Sequence, residues 1–288
     1  MSETTNLEEE LIHYRTKLFP YAYNIIGATE PARDLVEEVI VPFFTHDHSH
    51  VENTAGYLTR SVINKSINCK QLLRNQMEHY PGDWLPEPVE TPESIYREAD
   101  KQQVLNYSLL VLMEKLNPQE RAVYILKHAF DFKHPDIADV LEIKEDHSRQ
   151  LYKRANDKVK TMKGGRRSLN NSDRLLLSEL TNAMAEADLS AIKRLLTDTI
   201  QAVSDGGPDY SAARKPLKGL DHVAKLLRAI GTKYMLEGTK IRFTSINHQP
   251  AIVYMADKQI YRSMILKTRN GKVSEIYTLL NREKLKFL

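Results

Sequence analysis

The sequence predicts a multi-domain protein in which two all-α domains are followed by an α+β domain with a curved antiparallel sheet, and three observations carry this reading. Apolar residues recur at helical spacing from Leu7 to Met77 and again from Lys101 to Met162, strand-like runs rich in β-branched and aromatic residues are confined to the last fifty residues, and two polar or proline-rich breaks separate the blocks. The first break, YPGDWLPEPVETPES from Tyr80 to Ser94, holds four of the twelve prolines and the only tryptophan. Proline removes a backbone donor and pushes the preceding residue toward extended geometry, so this stretch is neither a helix nor a central strand and reads as a solvated connector. The second break, GGRRSLNNSD from Gly164 to Asp173, is rich in Gly, Asn and Ser. The expected boundaries are therefore 1–79, a linker at 80–100, 101–163, a linker at 164–173, and 174–288.

Each element follows from local pattern. Leu11, Tyr14 and Leu18, then Leu35, Val36 and Val39, mark two helices separated by the Gly27 turn. Asn53-Thr54 offers a cap for a helix from Ala55 to about Met77. Helical spacing resumes at Lys101 to Leu116, breaks at Asn117-Pro118, and restarts from Gln119 to Phe130, where Pro118 suits a first helical turn. In the last domain the pattern predicts helices at Leu175 to Ala187, Leu189 to Leu196 and Leu220 to Leu236, with a short strand near Ile200 to Ser204. Four strands follow in KIRFTSIN, PAIVYMA, KQIYRSMILKT and KVSEIYTLL.

The net charge of +3 conceals a sorting of charge along the chain. Residues 1–42 carry eight acids and three bases, residues 57–77 carry Arg60, Lys65, Lys70 and Arg74 with no acid, and residues 143–167 carry nine bases against three acids. Residues 80–100 hold six acids and one Arg. Two basic segments flanking an acidic connector suggest a bipartite grip on nucleic acid, with an acidic surface left for a protein partner. The apolar runs are too short to cross a bilayer and the acidic N-terminus is no export signal, which predicts a cytoplasmic protein without a membrane partner. Cys69 alone excludes an internal disulfide and a Cys-based zinc site, and His46, His48 and His50 alternate with Asp and Ser in what reads as a loop instead of a metal site. No cofactor is expected.

The stretch HPDIADVLEIKEDHSRQLYKRANDKVKTM has helix-turn-helix spacing. Ile137, Ala138 and Leu141 form one apolar face, a turn falls at Ile143, and Ser148, Leu151 and Ala155 continue the inward face of a second helix. Arg149 with Lys153, and Gln150 with Arg154, stand four residues apart and share the outward side. Arg and Gln make paired hydrogen bonds to guanine and adenine edges while Lys holds phosphate, so this face suits a major groove.

With these residues on the page, the first 160 or so positions resemble an extracytoplasmic-function sigma factor of bacterial RNA polymerase. ARDLVEEVI is similar to that family's region 2 helix, GYLTRSVINKSINCKQLLR to the helix and loop that open and read the −10 element, and LNPQERAVYILKHAF with the helix-turn-helix to region 4, which reads the −35 element. YPGDWLPEPV resembles the linker of the subgroup that carries a SnoaL-like, NTF2-type C-terminal domain, as do the Asp-Gly-Gly turn at Asp205 to Gly207 and the final LNREKL. The resemblance implies core RNA polymerase (its β′ clamp helices and β flap) and promoter DNA as partners, no catalytic residues, and a SnoaL-like domain that regulates in cis, with a small-molecule ligand for its pocket left open. It implies polymerase docking by Asp34, Leu35, Glu37 and Glu38, −10 contacts by Asn64, Lys65, Asn68 and Arg74, and −35 contacts by Arg149, Gln150, Lys153 and Arg154. Asp205, Gly206, Gly207, Asn281, Lys284 and Leu285 are the candidate regulatory contacts.

Two alternatives share parts of this pattern. One is a one-component helix-turn-helix regulator with a ligand-sensing domain, disfavoured by two DNA-binding segments of different character. The other is a SnoaL-like cyclase or isomerase built on Asp205, His222, His248, Tyr254 and Tyr261, whose spacing fixes no acid/base dyad.

Overall fold

The computed structural model describes residues 2–48, 50–77, 80, 82–91, 103–159, 169–208, 210, 215–286 and 288, with backbone alone for 2–7. They form two compact units, one of Met1–Glu78, Arg97–Leu105 and Leu109–Gly164, the other of His79–Tyr96, Asn106–Ser108 and Gly165–Leu288.

The described elements of the first unit are helices: α1 (Ser2–Ile26), α2 (Thr29–Thr45), α3 (Thr54–Met77), α4 (Tyr107–Met113, of which Tyr107 and Ser108 are counted with the second unit), α5 (Pro118–Ala129), α6 (His134–Leu141) and α7 (Glu145–Val159). Gly27 ends α1 with φ +78° while its N–H still reaches the Tyr23 carbonyl at 2.7 Å. Leu18, Ala22, Ile25 and Ile26 of α1 are buried, as are Val36 and Ile40 of α2 and Leu58, Val62 and Ile63 of α3. The inward stripe of α3 continues through Ser66 to Lys70, which is only 3% exposed. Its ammonium meets Glu114 at 2.7 Å, and the same carboxylate pairs with fully buried Arg121, whose Nε donates to the Asn24 carbonyl at 2.9 Å. One carboxylate therefore links α1, α3 and α5. The start of α5 is fixed by Asn117, which accepts from the Glu120 N–H at 2.8 Å while the Glu120 carboxylate accepts from the Asn117 N–H at 3.1 Å.

The second unit holds α8 (Asn171–Ala185), α9 (Leu189–Leu195), β1 (Leu196–Asp205), β2 (Leu217–Lys218), α10 (Leu220–Lys233), β3 (Lys240–Ile246), β4 (Gln249–Ala256), β5 (Gln259–Arg269), β6 (Lys272–Leu279) and α11 (Arg282–Leu285). The sheet order is β2-β1-β6-β5-β4-β3. Four strand pairings are antiparallel, as the run of strands predicts, and β1 lies parallel to β6, making the sheet mixed. That pairing joins strands separated by nearly seventy residues, which no local pattern announces. Leu177, Leu180, Met184, Val223, Leu227 and Ile230 of the helices share a buried core with Ile200, Ile252, Met264, Leu266 and Ile276 of the sheet. A Cβ on Gly231 would lie 2.1 Å from the Met184 carbonyl oxygen, so a glycine is what lets α10 approach α8.

Three expectations are corrected. The connector is not solvated over residues 82–91: Leu85, Val89 and Thr91 are 1%, 8% and 4% exposed. It lies along the β3 edge, with Val89 N–H donating to Asn247 Oδ1 at 2.9 Å and Thr91 N–H to the Ser245 carbonyl at 2.8 Å. Pro86 and Pro88 cost no ladder bond there, because a strand beside an edge pairs on one side only. Residues 92–100 lie outside the described residues. The second linker is shorter than expected, because Asn170 accepts from the Asp173 N–H at 2.8 Å and the Asp173 carboxylate accepts from the Asn170 N–H, so α8 begins at Asn171. The helix expected over Lys101 to Leu116 is reduced to Tyr107–Met113.

Burial alone would push the Glu114 carboxyl up, but the charges of Arg121 and Lys70 outweigh it and hold the group below its ordinary value. Its stabilising contribution is therefore complete above the unfolded pKa of about 4.3 and declines as pH falls through the lower folded value. Glu114→Gln strands two buried cations and should cost about 3–5 kcal/mol in urea unfolding at pH 7, a deficit that shrinks in acid.

Candidate nucleic-acid interface

Helices α6 and α7 build the helix-turn-helix. Glu142 ends α6 in the left-handed region (φ +54°, ψ +43°), the conformation that a turn glycine otherwise supplies, and the Ile143 N–H returns to the Ala138 carbonyl at 3.0 Å. Ser148, Leu151, Ala155 and Val159 are buried, and Ser148 Oγ lies 2.9 Å from His134 Nδ1 at the start of α6. This leaves Arg149, Gln150, Lys153 and Arg154 exposed together on the outward side of α7. Arg149 pairs with Glu145 one turn earlier, which preorients the guanidinium along the exposed face.

The second basic segment is arranged differently from its sequence expectation. Of the residues proposed for the downstream element, Asn68 is exposed and Arg74 donates to the Leu116 carbonyl at 3.4 Å. Asn64 donates to the Val140 carbonyl at 2.9 Å, and Lys65 pairs with Glu38 at 2.5 Å. Arg60 joins the same contact, with Nη2 2.6 Å from Asp139 Oδ2. The outward face of α3 is thus set against the C-terminal end of α6. A cavity of about 190 Å³ lies beside it, lined by Asn64, Ile67 and Asn68 from α3 and by Leu141, Ile143 and Leu151 from the helix-turn-helix. Lys70, counted in the basic block, is committed internally to Glu114.

On α2, Asp34 and Glu38 are exposed, whereas Glu37 binds Arg15 at 2.5 Å. Leu35, expected beside them at the docking surface, is 6% exposed and packs in the helical core.

In the second unit the sequence-predicted residues Asp205, Gly207, Asn281 and Lys284 come together at the end of β1. Asp205 is fully buried and accepts from Tyr80 Oη (2.5 Å), the Leu85 N–H (2.9 Å), the Gly207 N–H (3.0 Å) and Lys284 Nζ (2.6 Å). Lys284 also donates to the Leu85 carbonyl at 2.6 Å and sits 4.0 Å from the centre of the Trp84 ring. Asn281 donates to Tyr80 Oη at 3.0 Å and caps α11 through the Glu283 N–H. A Cβ on Gly207 would clash at 2.8 Å with the Asn281 amide, and φ is +62° there, so both sterics and backbone require glycine. Gly206 and Leu285 are buried beside this cluster. Burial and the Asp205 carboxylate hold the Tyr80 phenol well above its ordinary pKa.

The residues of the enzyme alternative are not assembled as an acid/base pair. Asp205 is engaged as above, His222 is placed against the Lys218 carbonyl at 3.2 Å, and His248 occupies the β3–β4 turn with φ +59°. Tyr254 and Tyr261 do stand together, with ring centres 6.3 Å apart. Among the described residues no group of three or more His, Cys, Asp and Glu is placed to hold a metal, and no helix is long and apolar enough to cross a membrane.

Sequence reasoning missed Arg60, Glu114, Arg121, Tyr80 and Trp84 as structural partners. For Lys70 a signal existed: it continues the i, i+4 series Leu58, Val62, Ser66, a buried register that a solvated lysine would not occupy.

Residues 107–158 match the family model for sigma-70, region 4. Over nearly its whole length the chain is similar to curated sigma factors of Mycobacterium tuberculosis. Identity to the ECF RNA polymerase sigma factor SigJ is 23%, covering 94% of this chain and 90% of that protein, and identity to the probable ECF RNA polymerase sigma factor SigI is 20%, covering 93% and 90%. The crystal structure of SigJ superposes with a TM-score of 0.74 at 21% identity, covering 96% of this chain and 97% of that one. The fold, two sigma-type helical domains followed by a mixed-sheet α+β domain, is therefore shared from end to end. Within it, α4 to α7 span the residues that match sigma-70 region 4, and the chain as a whole is similar to the extracytoplasmic-function sigma factors.

Replacing Arg149 by Ala should weaken binding to a preferred duplex by about 1–3 kcal/mol and relax preference at one base position, read by competition binding against a randomised-site library at fixed salt. Lys153→Ala should weaken all duplexes alike and lower the salt dependence of binding.

Proposed function

We propose that the protein is a sigma factor that binds core RNA polymerase and directs promoter-specific transcription initiation, with its C-terminal SnoaL-like domain modulating that activity in cis. The observation that carries the reading is the exposed face of α7, where Arg149, Gln150, Lys153 and Arg154 project from a helix-turn-helix inside the matched region 4. That face would read the upstream promoter element. The face of α3 around Asn64, Lys65 and Asn68 would hold the opened strand of the downstream element, after Arg60 and Asn64 release Asp139 and Val140. Exposed Asp34 and Glu38 would dock on the β′ clamp helices, and region 4 on the β flap. The site of action would be the cytoplasm, and the protein would perform no catalysis of its own.

The means of regulation follows from the connector. Residues 80–91 separate α3 from the region 4 helices in sequence, yet they belong to the C-terminal unit through Asp205, Asn281 and Lys284. Releasing that cluster would lengthen the free chain between the two DNA-reading parts, allowing them to span two promoter elements on polymerase.

Two measurements test this. Charge reversal of Asp34 and Glu38 should weaken co-elution with core polymerase at least tenfold and leave thermal unfolding unchanged, since both side chains are exposed. Equal affinity would remove α2 as the docking helix. A chain ending at Leu280, which keeps β6 but lacks Asn281 and Lys284, should differ from the full-length protein in transcription of one cognate promoter at equal folded concentration. Identical activity, also for a chain ending near Lys163, would remove the regulatory role.

A further inference from the structure

Arg262 presents a group that neither the DNA-reading faces nor the Asp205 cluster uses. It lies on β5 opposite Tyr254 of β4, and the register slips immediately beyond, where Met255 faces Ile260 and Tyr261 is the unpaired extra residue. Such a bulge re-aims a side chain. Tyr261 thus packs against the same core that holds Tyr254 and Met264, beneath the helices of the second unit. Arg262 is 7% exposed, and its guanidinium carbon lies 5.6 Å from the ring centres of both Tyr254 and Tyr261.

A guanidinium stays charged inside a protein, so burying it is costly unless acceptors meet its N–H groups. Here Nε and Nη1, which together carry three N–H donors, are buried, and among the described residues neither has a hydrogen-bond partner and no carboxylate pairs with the group. Desolvation draws its pKa down, and the two tyrosines act against that shift. Aromatic faces compensate a cation partially and leave its in-plane donors open. Buried apolar side chains of the same core, Ile252, Met264 and Leu266, lie in the neighbouring strand positions. Tyr261 Oη lies 2.8 Å from Thr239 Oγ1 and 3.5 Å from Met235 Sδ, in the loop where Leu236 is 51% exposed.

We infer that the inner face of the C-terminal domain binds a small carboxylate with an apolar body, its anionic head on Arg262 between Tyr254 and Tyr261 and its body toward Met235, Leu236 and Met264. The carboxylate supplies the acceptors that the fold withholds, and the apolar lining rejects a bare, strongly hydrated anion. The inference does not depend on the sigma-factor reading, because its readout needs neither polymerase nor DNA.

The test is calorimetric titration of the full-length protein with benzoate and decanoate, set against neutral benzamide and decanol and against inorganic phosphate. At least one carboxylate should bind with millimolar or tighter affinity, at least tenfold more tightly than its neutral counterpart and than phosphate. Arg262→Met, checked for folding by far-ultraviolet circular dichroism, should lose that binding at least tenfold, and Arg262→Lys should retain an intermediate affinity. The thermal midpoint of the unaltered protein should also rise with carboxylate concentration, a readout independent of whether a variant folds. No carboxylate binding to the unaltered protein, equal binding of the neutral analogue, or equal binding by a folded Arg262→Met would each overturn the inference.

Discussion

The fold of the C-terminal unit turns on one buried carboxylate. Asp205 ends β1 with no exposure, and its four donors come from the connector, the following glycine turn and the last helix. Lys284, stacked on Trp84, pairs with it, and the backbone N–H groups of Leu85 and Gly207 donate to its oxygens, so the buried group is not left without partners. Pieces of chain separated by up to two hundred residues are thereby assembled around one oxygen pair. The same arrangement accounts for the only tryptophan in the chain lying in a proline-rich stretch: its ring face receives a cation that must be partly desolvated.

A comparable logic governs the helical unit, with opposite consequences for function. Four basic residues between 57 and 77 look like a nucleic-acid surface, but Lys70 belongs to a buried network with Glu114 and Arg121, Lys65 pairs with Glu38, and Arg60 reaches Asp139. The two exposed pairs are weak in water and exchange readily for phosphate, while the buried pair cannot leave without stranding a charge. Block charge therefore overstates the cations available to DNA on α3, whereas on α7 the four candidate residues remain outward and accessible.

The sequence-to-structure correspondence divides along physical lines. Helix periodicity, the Gly27 turn, the helix start at Pro118 and the helix-turn-helix register were legible because each depends on residues within one or two turns. The face assignment of Arg149, Gln150, Lys153 and Arg154 followed from the same periodicity. The parallel β1–β6 pair, the burial of the connector and the partners of Asp205 were not legible, since each joins positions far apart in the chain and no local pattern encodes the partner. Lys70 illustrates the error that local reading makes: a lysine on a buried register was taken for surface, and Leu35, between acids, is likewise largely buried. The start of α8 at Asn171 shows a polar Asn-x-x-Asp stretch acting as a cap where composition suggested a linker.

In the proposed function, the chain supplies core polymerase with two DNA-reading surfaces and a domain that governs the connector between them. The most direct test is single-round transcription with purified core polymerase, free of other sigma factors, on a library of promoter fragments with and without the full-length protein. Defined transcripts from a restricted set of fragments, dependent on the added protein and lost from them when Arg149 is replaced by Ala, are the predicted result. Transcripts that do not change on adding the folded protein would contradict the account.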